Sequence, residues 1–209
     1  MCGRYHLADE YRPEGLRRLI EVMNRRADAG GVKTSGEVFP SDAAPVVATG
    51  RSLRPGVFGM TWGYAAQDGR RIINARSETA ASKPLFRDGM AERRCAVPAS
   101  CYFEWERHTR EHTKYAIRPE AGDMTWMAGI YRLAPGRPEF AILTRASAPG
   151  IAFIHDRMPV LLPEALVGAW INPESDPIRI LEQAVQAVRY APAPGAREQL
   201  AMSLPGLEL

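Results

Sequence analysis

From Val38 to Thr144 the chain breaks into short apolar or β-branched runs separated by Pro and Gly: Pro45 to Thr49, Val57 to Trp62, Arg71 to Asn74, Cys95 to Pro98, Cys101 to Glu106, Lys114 to Arg118, Met124 to Leu133 and Glu139 to Thr144. Runs this short and this regularly punctuated suit neighbouring antiparallel strands, because parallel strands need longer crossovers between them. Ahead of them, Leu16, Leu19, Ile20 and Met23 fall at i, i+3, i+4 and i+7. That is one face of a helix over Pro13 to Arg26, with Pro13 in its first turn and Gly30-Gly31 beyond its end. A helical insertion is predicted at Glu78 to Glu92, and helical patterns at Pro163 to Trp170 and Pro177 to Val188 follow the last strand. The 209 residues carry no repeat and no linker. The expectation is a single α+β domain over 1–209, with a curled, largely antiparallel, barrel-like core flanked by helices, C-terminal helices within 163–190 and a loose tail over 192–209.

A domain of this length removes roughly 70% of its unfolded surface from water, so its stability requires neither a metal nor a disulfide framework. Apolar stretches such as Ala44 to Ala48 and Phe140 to Leu143 stop far short of the ~20 residues of a bilayer crossing. The start, Met-Cys-Gly-Arg-Tyr-His, has no apolar run behind a basic residue. The expected address is therefore cytoplasmic, nucleoid-associated in a bacterium, with no membrane partner. Three cysteines, Cys2, Cys95 and Cys101, are an odd and small number that fits a reducing compartment. A net charge of +3 is too small to identify a polyanion partner. Only Lys33, Lys83 and Lys114 among the 27 basic residues are lysine, and the arginine that remains has the planar fork that suits phosphate. A GC-rich coding background produces the same bias.

Position 2 carries the most chemistry. A small residue after the initiator permits Met1 removal, and a chain that then begins with Cys2 presents a 1,2-aminothiol. Its α-amine, with a reference pKa of roughly 7.7 to 8.0, is partly unprotonated at neutral pH. The amine can capture an aldehyde as a Schiff base, and the thiol can then close a thiazolidine ring on the same carbon.

Cys2 has company: Met1-Cys2-Gly3-Arg4-Tyr5, then Asn74-Ala75-Arg76-Ser77-Glu78, then Arg94-Cys95-Ala96-Val97-Pro98-Ala99 leading into Tyr102-Phe103-Glu104-Trp105, and His155-Asp156-Arg157-Met158-Pro159. These four ordered motifs, with echoes at Trp62-Gly63 and Met127-Ala128-Gly129-Ile130-Tyr131, resemble the SOS-response-associated peptidase (SRAP) family of abasic-site processing proteins from residue 1 to about Leu162. The chain departs from that pattern in two places. Tyr64-Ala65-Ala66-Gln67 follows Trp62-Gly63 where Leu-x-Pro-x-Trp is common, and Cys101 stands where a glycine usually precedes the aromatic pair.

The resemblance implies a protein that cross-links Cys2 to the ring-opened aldehyde of an abasic site in single-stranded DNA. By the same resemblance Glu104 is the acid/base beside the Cys2 amine, His155 assists ring opening, and Asn74 orients the amine or a sugar oxygen. Arg4 and Arg76 match positions that grip phosphates, and Arg71 or Arg157 would extend that track. Trp62 and Trp105 are candidate stacking surfaces for bases, with core packing the alternative for each. No metal or cofactor is implied, and a monomer is the default. Whether Met1 leaves by self-cleavage or through an aminopeptidase, and whether a lyase side activity accompanies cross-linking, stays open at this level.

His108-Thr109-Arg110-Glu111-His112 fits the H-x-x-E-H pattern of a zinc peptidase, but its surroundings have no apolar helical face and read as a polar hairpin loop. Cys95 and Cys101 have the wrong spacing for a zinc knuckle and read as small packing residues. Two rival functions remain: an N-terminal-nucleophile hydrolase of the glutamine amidotransferase kind, which also begins Cys-Gly, and a single-strand-binding module with no covalent step.

Overall fold

A computed structural model describes residues 2–7, 14–26, 30–50, 53–107 and 109–194, and Pro13 and the tail beyond 194 lie outside these. In chain order the elements are β1 (Arg4–Leu7), α1 (Glu14–Asn24), β2 (Gly36–Val38), β3 (Ala43–Thr49), β4 (Pro55–Trp62), β5 (Tyr64–Ala65), β6 (Arg71–Ile72), β7 (Asn74–Arg76), α2 (Ser77–Ala80), α3 (Pro84–Glu92), β8 (Arg94–Ala99), β9 (Cys101–Trp105), β10 (Lys114–Pro119), β11 (Thr125–Arg132), β12 (Glu139–Ala146), β13 (Arg157–Pro159), α4 (Val167–Ile171), α5 (Pro177–Glu182) and β14 (Val188–Pro192). Among the described residues no helix is long and apolar enough to cross a membrane.

The main sheet closes on itself. Strands run in the order β11-β8-β3-β4-β12, and β11 also pairs with β12, which completes a five-stranded ring. Every ring pairing is antiparallel except β12 with β4, which is parallel through Glu139↔Thr61 and Phe140↔Trp62. Closure removes the free edges that an open sheet would expose. Beyond the ring, β12 takes on β7 (parallel, Ile142↔Asn74) and β13 (antiparallel, Thr144↔Pro159). The six residues of β8, and the first six of both β11 and β12, are all buried, so neither face of these strands meets solvent. This explains why they read as continuous apolar runs rather than as alternating ones. Gly129 of β11 lies against the neighbouring strands β8 and β12. A Cβ there would lie 2.9 Å from Cys95 Sγ and 3.3 Å from the Ala141 carbonyl.

A second sheet, ordered β14-β10-β9-β1-β2, packs Tyr5, Leu7, Val38, Tyr102 and Ile117 into the same core. Its pairings are all antiparallel, so the largely antiparallel barrel core predicted from the punctuation is the observed one. Trp62 lies between the two sheets, its ring centroid 5.2 Å from Tyr5 and stacked at 6.3 Å on Phe140.

The helices and the strand ends required correction. The insertion expected over Glu78 to Glu92 is two helices, because Pro84 holds Lys83 in an extended conformation (φ −81°, ψ 127°) and then begins α3. Arg71 to Asn74 is likewise two strands, β6 and β7. The pattern at Pro163 to Trp170 is a 3-10 turn at Glu164–Leu166 running into α4. In the last helix, Asp176 caps the start by accepting from the Ile178 N–H at 2.9 Å, but α5 stops at Glu182. The residues placed at its end and in the tail form β14 instead, paired with β10 from Tyr115↔Pro192 to Pro119↔Val188. The backbone groups of β10 were available on that side, and five residues satisfy them. Arg94, itself buried, joins the helices to the barrel by donating to the carbonyls of Met90, Ala91, Trp170, Asn172 and Ser175.

Candidate functional site

Strand β1 is paired on both edges, with β9 through Arg4↔Phe103 and with β2 through Tyr5↔Val38. Cys2 therefore enters directly ahead of an anchored strand, and it is fully buried. Its carbonyl accepts a hydrogen bond from Asn74 Nδ2 at 2.9 Å, and its Sγ donates to the Arg4 carbonyl at 3.6 Å. Burial, reinforced by the negative field of Glu104, pushes the Cys2 thiol far above its ordinary range, so it is held protonated.

Asn74 opens β7, and the parallel pairing with β12 carries it to Cys2. Its Oδ1 is buried with no hydrogen-bond partner among the described residues, as are the hydroxyls of Tyr5 and Tyr102. Both tyrosines lie within the electrostatic field of Cys2. Buried polar groups are normally bonded, and each one left unsatisfied costs about 1–3 kcal/mol. Three such atoms near one cysteine suit a site that receives a polar guest.

Alternation along β9 puts Tyr102 and Glu104 on the inner face, with Phe103 and Trp105 on the outer one. Glu104 is only 4% exposed, and burial pushes its carboxyl up to about 7. A group that is half ionised at neutral pH can both accept and return a proton. His155 sits in the turn before β13, held by its N–H to the Ile151 carbonyl at 3.3 Å between the buried Ile151 and Met158. Burial depresses the imidazole to about 4, which keeps it neutral. Its Nδ1 accepts from the Arg157 N–H at 2.9 Å, which leaves the proton of the neutral ring on Nε2. Asp156 Oδ1, 2.7 Å from the same Nδ1, is an alternative partner for the protonated ring. Glu104 and His155 feel the same ion pair, Arg107 with Asp156 at 4.0 Å. That pair and the two tyrosines were missed in the sequence, although alternation from Glu104 back to Tyr102 was a usable signal.

The proposed DNA contacts divide. Arg76 is exposed beside Asn74. Arg4 shares the outer face with its directly opposed partner Phe103, away from Glu104, and pairs with Glu37 at 3.2 Å. Its guanidinium lies 4.3 Å from the Phe39 ring centre and 4.9 Å from that of the half-buried Trp105. Trp62 has no exposed surface, and its Nε1 donates to the Ile73 carbonyl at 3.1 Å. It is a core residue with no face to offer a base. Arg71 is committed to Glu139 (2.9 Å) and to the Gly63 carbonyl (2.7 Å). Arg157 grips Glu78 with both nitrogens, at 2.6 and 2.8 Å, and holds that carboxyl down to about 2. Through these partners the two arginines brace β6 and β13. The segment from Glu106 to Thr113 joins β9 to β10 as a hairpin connection, with His112 at φ 46°. His108 lies outside the described residues.

A closed β-ring with a second sheet packed on it, and a buried Cys2 placed beside a glutamate of raised pKa, define a small α+β protein with an N-terminal cysteine site. The chain belongs to the SOS response associated peptidase (SRAP) family, whose model matches residues 1–194. It is 29% identical over 201 residues to the abasic site processing protein YoqW of Bacillus subtilis, covering 89% of this chain and 87% of that one. Against YobE of the same organism, also an abasic site processing protein, it is 31% identical over 190 residues, with 84% of each covered. A solved structure from Bacteroides thetaiotaomicron shares the fold, with a TM-score of 0.71, 21% identity and 93% of both chains covered.

Proposed function

We propose that this protein processes abasic sites in single-stranded DNA by joining them covalently to Cys2. The names of its relatives support the lesion class. The single observation that carries the chemistry is the placement of Asn74 and Glu104 beside Cys2.

Hydrolysis of the Met1–Cys2 bond consumes one water and frees the α-amine, which is the peptidase step. The neutral His155 imidazole relays a proton as the sugar hemiacetal opens to its aldehyde. The Cys2 amine adds to that carbonyl carbon, and Glu104, half protonated at neutral pH, supplies the proton with which the carbinolamine loses water. That loss leaves an iminium whose nitrogen keeps its proton; the Cys2 thiol then adds to the iminium carbon as its own proton passes to the Glu104 carboxylate, and the neutral thiazolidine closes with Glu104 returned to its starting state. Nothing changes oxidation state, so the steps need no redox partner. The iminium also acidifies the neighbouring sugar carbon, so strand cleavage by β-elimination competes with ring closure as a lyase side reaction. The Asn74 Oδ1 is an acceptor available to the amine or to a sugar hydroxyl. A glutamine hydrolase would instead need an activated thiolate, and burial acts against one here. We place the protein on DNA as a monomer.

The test is a denaturing gel of the protein with a single-stranded oligonucleotide bearing one abasic site. A heat-stable shifted band is expected from the mature chain, and none from Cys2→Ala or from a chain with residues added before Cys2. A band that persists in Cys2→Ala, or none from the mature chain, overturns the reading.

A further inference from the structure

The outer face of the second sheet carries a feature that the Cys2 chemistry does not use. His6, Cys101, Arg118 and Arg189 form one row across β1, β9, β10 and β14. His6↔Cys101 and Arg118↔Arg189 are directly opposed pairs, so each pair shares a face. The row lines a groove of about 290 Å³, with Ser100, Ala116 and Tyr190 beside it. Both arginines are exposed, and neither has an acidic side chain within 4.0 Å among the described residues. Like charges directly opposed across an antiparallel pair repel, so the arrangement weakens the edge strand unless something anionic sits between them. Two guanidinium forks facing one groove offer the geometry that binds a phosphate with parallel hydrogen bonds.

We infer that this groove is a second phosphate site, in which Arg118 and Arg189 clamp one internucleotide phosphate of the strand whose lesion is held at Cys2. The assignment to a strand rests on the proposed function above and on the path between the two sites. Tyr190, bordering the groove and 46% exposed, meets the rings of Tyr115 and Phe153 with centroids at 5.6 and 5.4 Å. Tyr115 is directly opposed to Glu104 on the inner face. An aromatic run thus leads from Glu104 round the edge strand β14 to the arginine pair. Aromatic faces followed by unpaired cations are what a single strand needs, since bases stack on any ring and phosphates follow the charge.

The experiment compares the mature protein with Arg118→Gln/Arg189→Gln in binding to a labelled, intact single-stranded oligonucleotide by anisotropy across a salt series. The double variant is expected to bind about 10-fold more weakly at low salt, with a log–log salt slope shallower by about 0.7 for the one phosphate lost. Arg54→Gln/Arg87→Gln, which removes equal charge from exposed positions elsewhere, is expected to change neither. Thermal melts check folding, and the double variant is expected to melt no lower than the parent because a repulsion has been removed. Unchanged affinity and slope, or an equal loss in the control pair, overturns the inference. So does an arginine-dependent rise in melting temperature with inorganic phosphate alone that has no counterpart in DNA affinity, because the groove would then serve a free anion. Cross-linking of the Arg118→Gln/Arg189→Gln variant and of the parent to an abasic oligonucleotide, at protein concentrations that saturate binding, reports on Cys2 separately. Its failure beside an intact arginine effect would sink the covalent reading and leave the groove standing.

Discussion

The side-chain amide of Asn74 donates to the backbone carbonyl of Cys2 at 2.9 Å, joining residues 72 positions apart. That bond locates the second residue, and hence the amine and thiol of a chain lacking Met1, against β7. Asn74→Ala is expected to slow cross-linking about 100-fold, the usual consequence of misplacing a reacting group by an ångström or so. Folding stability should fall by only about 1 kcal/mol. Gel time courses and urea melts measure the two. Asn74→Asp keeps the shape but loses the donor, so it should rescue nothing.

Glu104 links activity to pH. Its carboxyl titrates near 7 in the folded chain against 4.5 for an ordinary glutamate. The stability this contributes is complete below about 4.5 and disappears as pH rises through 7, where a buried carboxylate must form. Glu104→Gln should therefore be more stable than the parent by about 2–3 kcal/mol at pH 8, with a much smaller difference at pH 4.5. Its cross-linking rate should drop at least 100-fold and lose the inflection near pH 7 that the parent shows. Denaturant melts at both pH values and a pH–rate profile check this. An unchanged profile would remove Glu104 from the proton transfers.

His155 has the opposite sign. Burial depresses its imidazole from 6.5 to about 4, so the folded chain resists protonation that the unfolded chain accepts. Stability from this source is present above about 6.5 and falls as pH drops through 4. His155→Gln should flatten the loss of stability between those limits, measured by thermal melts across the acid range, while slowing capture of the closed sugar.

The two tryptophans proposed as stacking surfaces should separate in a single pair of assays. Trp62→Ala removes a fully buried ring between Tyr5 and Phe140 and should cost about 3–5 kcal/mol of stability. Trp105→Ala, on the outer face beside Arg4, should leave stability nearly unchanged and weaken binding to intact single-stranded DNA by about 1–3 kcal/mol if a base stacks there. Melts and anisotropy on both variants distinguish the roles.

Much of the architecture was legible in the chain itself. The apolar face of α1 follows from the spacing of Leu16, Ile20 and Met23, all buried. The ring strands follow from short apolar runs between Pro and Gly, and Cys2, Asn74, Glu104 and His155 were singled out by motif. What these signals share is that they are local, since periodicity and chain stiffness act over a few residues. Strand β14 was not legible, because Val188 to Pro192 is a strand only where β10 presents an unpaired edge. The bracing roles of Arg71 and Arg157 depended on Glu139 and Glu78, 68 and 79 positions away.

The amino-acid sequence by itself determined the antiparallel barrel class and the inventory of reactive groups, because backbone preference and side-chain chemistry belong to each residue and its near neighbours. Tertiary structure alone decided the environments. It sealed Trp62 into the core, spent two arginines on ion pairs and left Arg118 facing Arg189. Desolvation moved the Glu104 carboxyl to about 7, since burial is a property of everything packed around a residue and not of the residue itself.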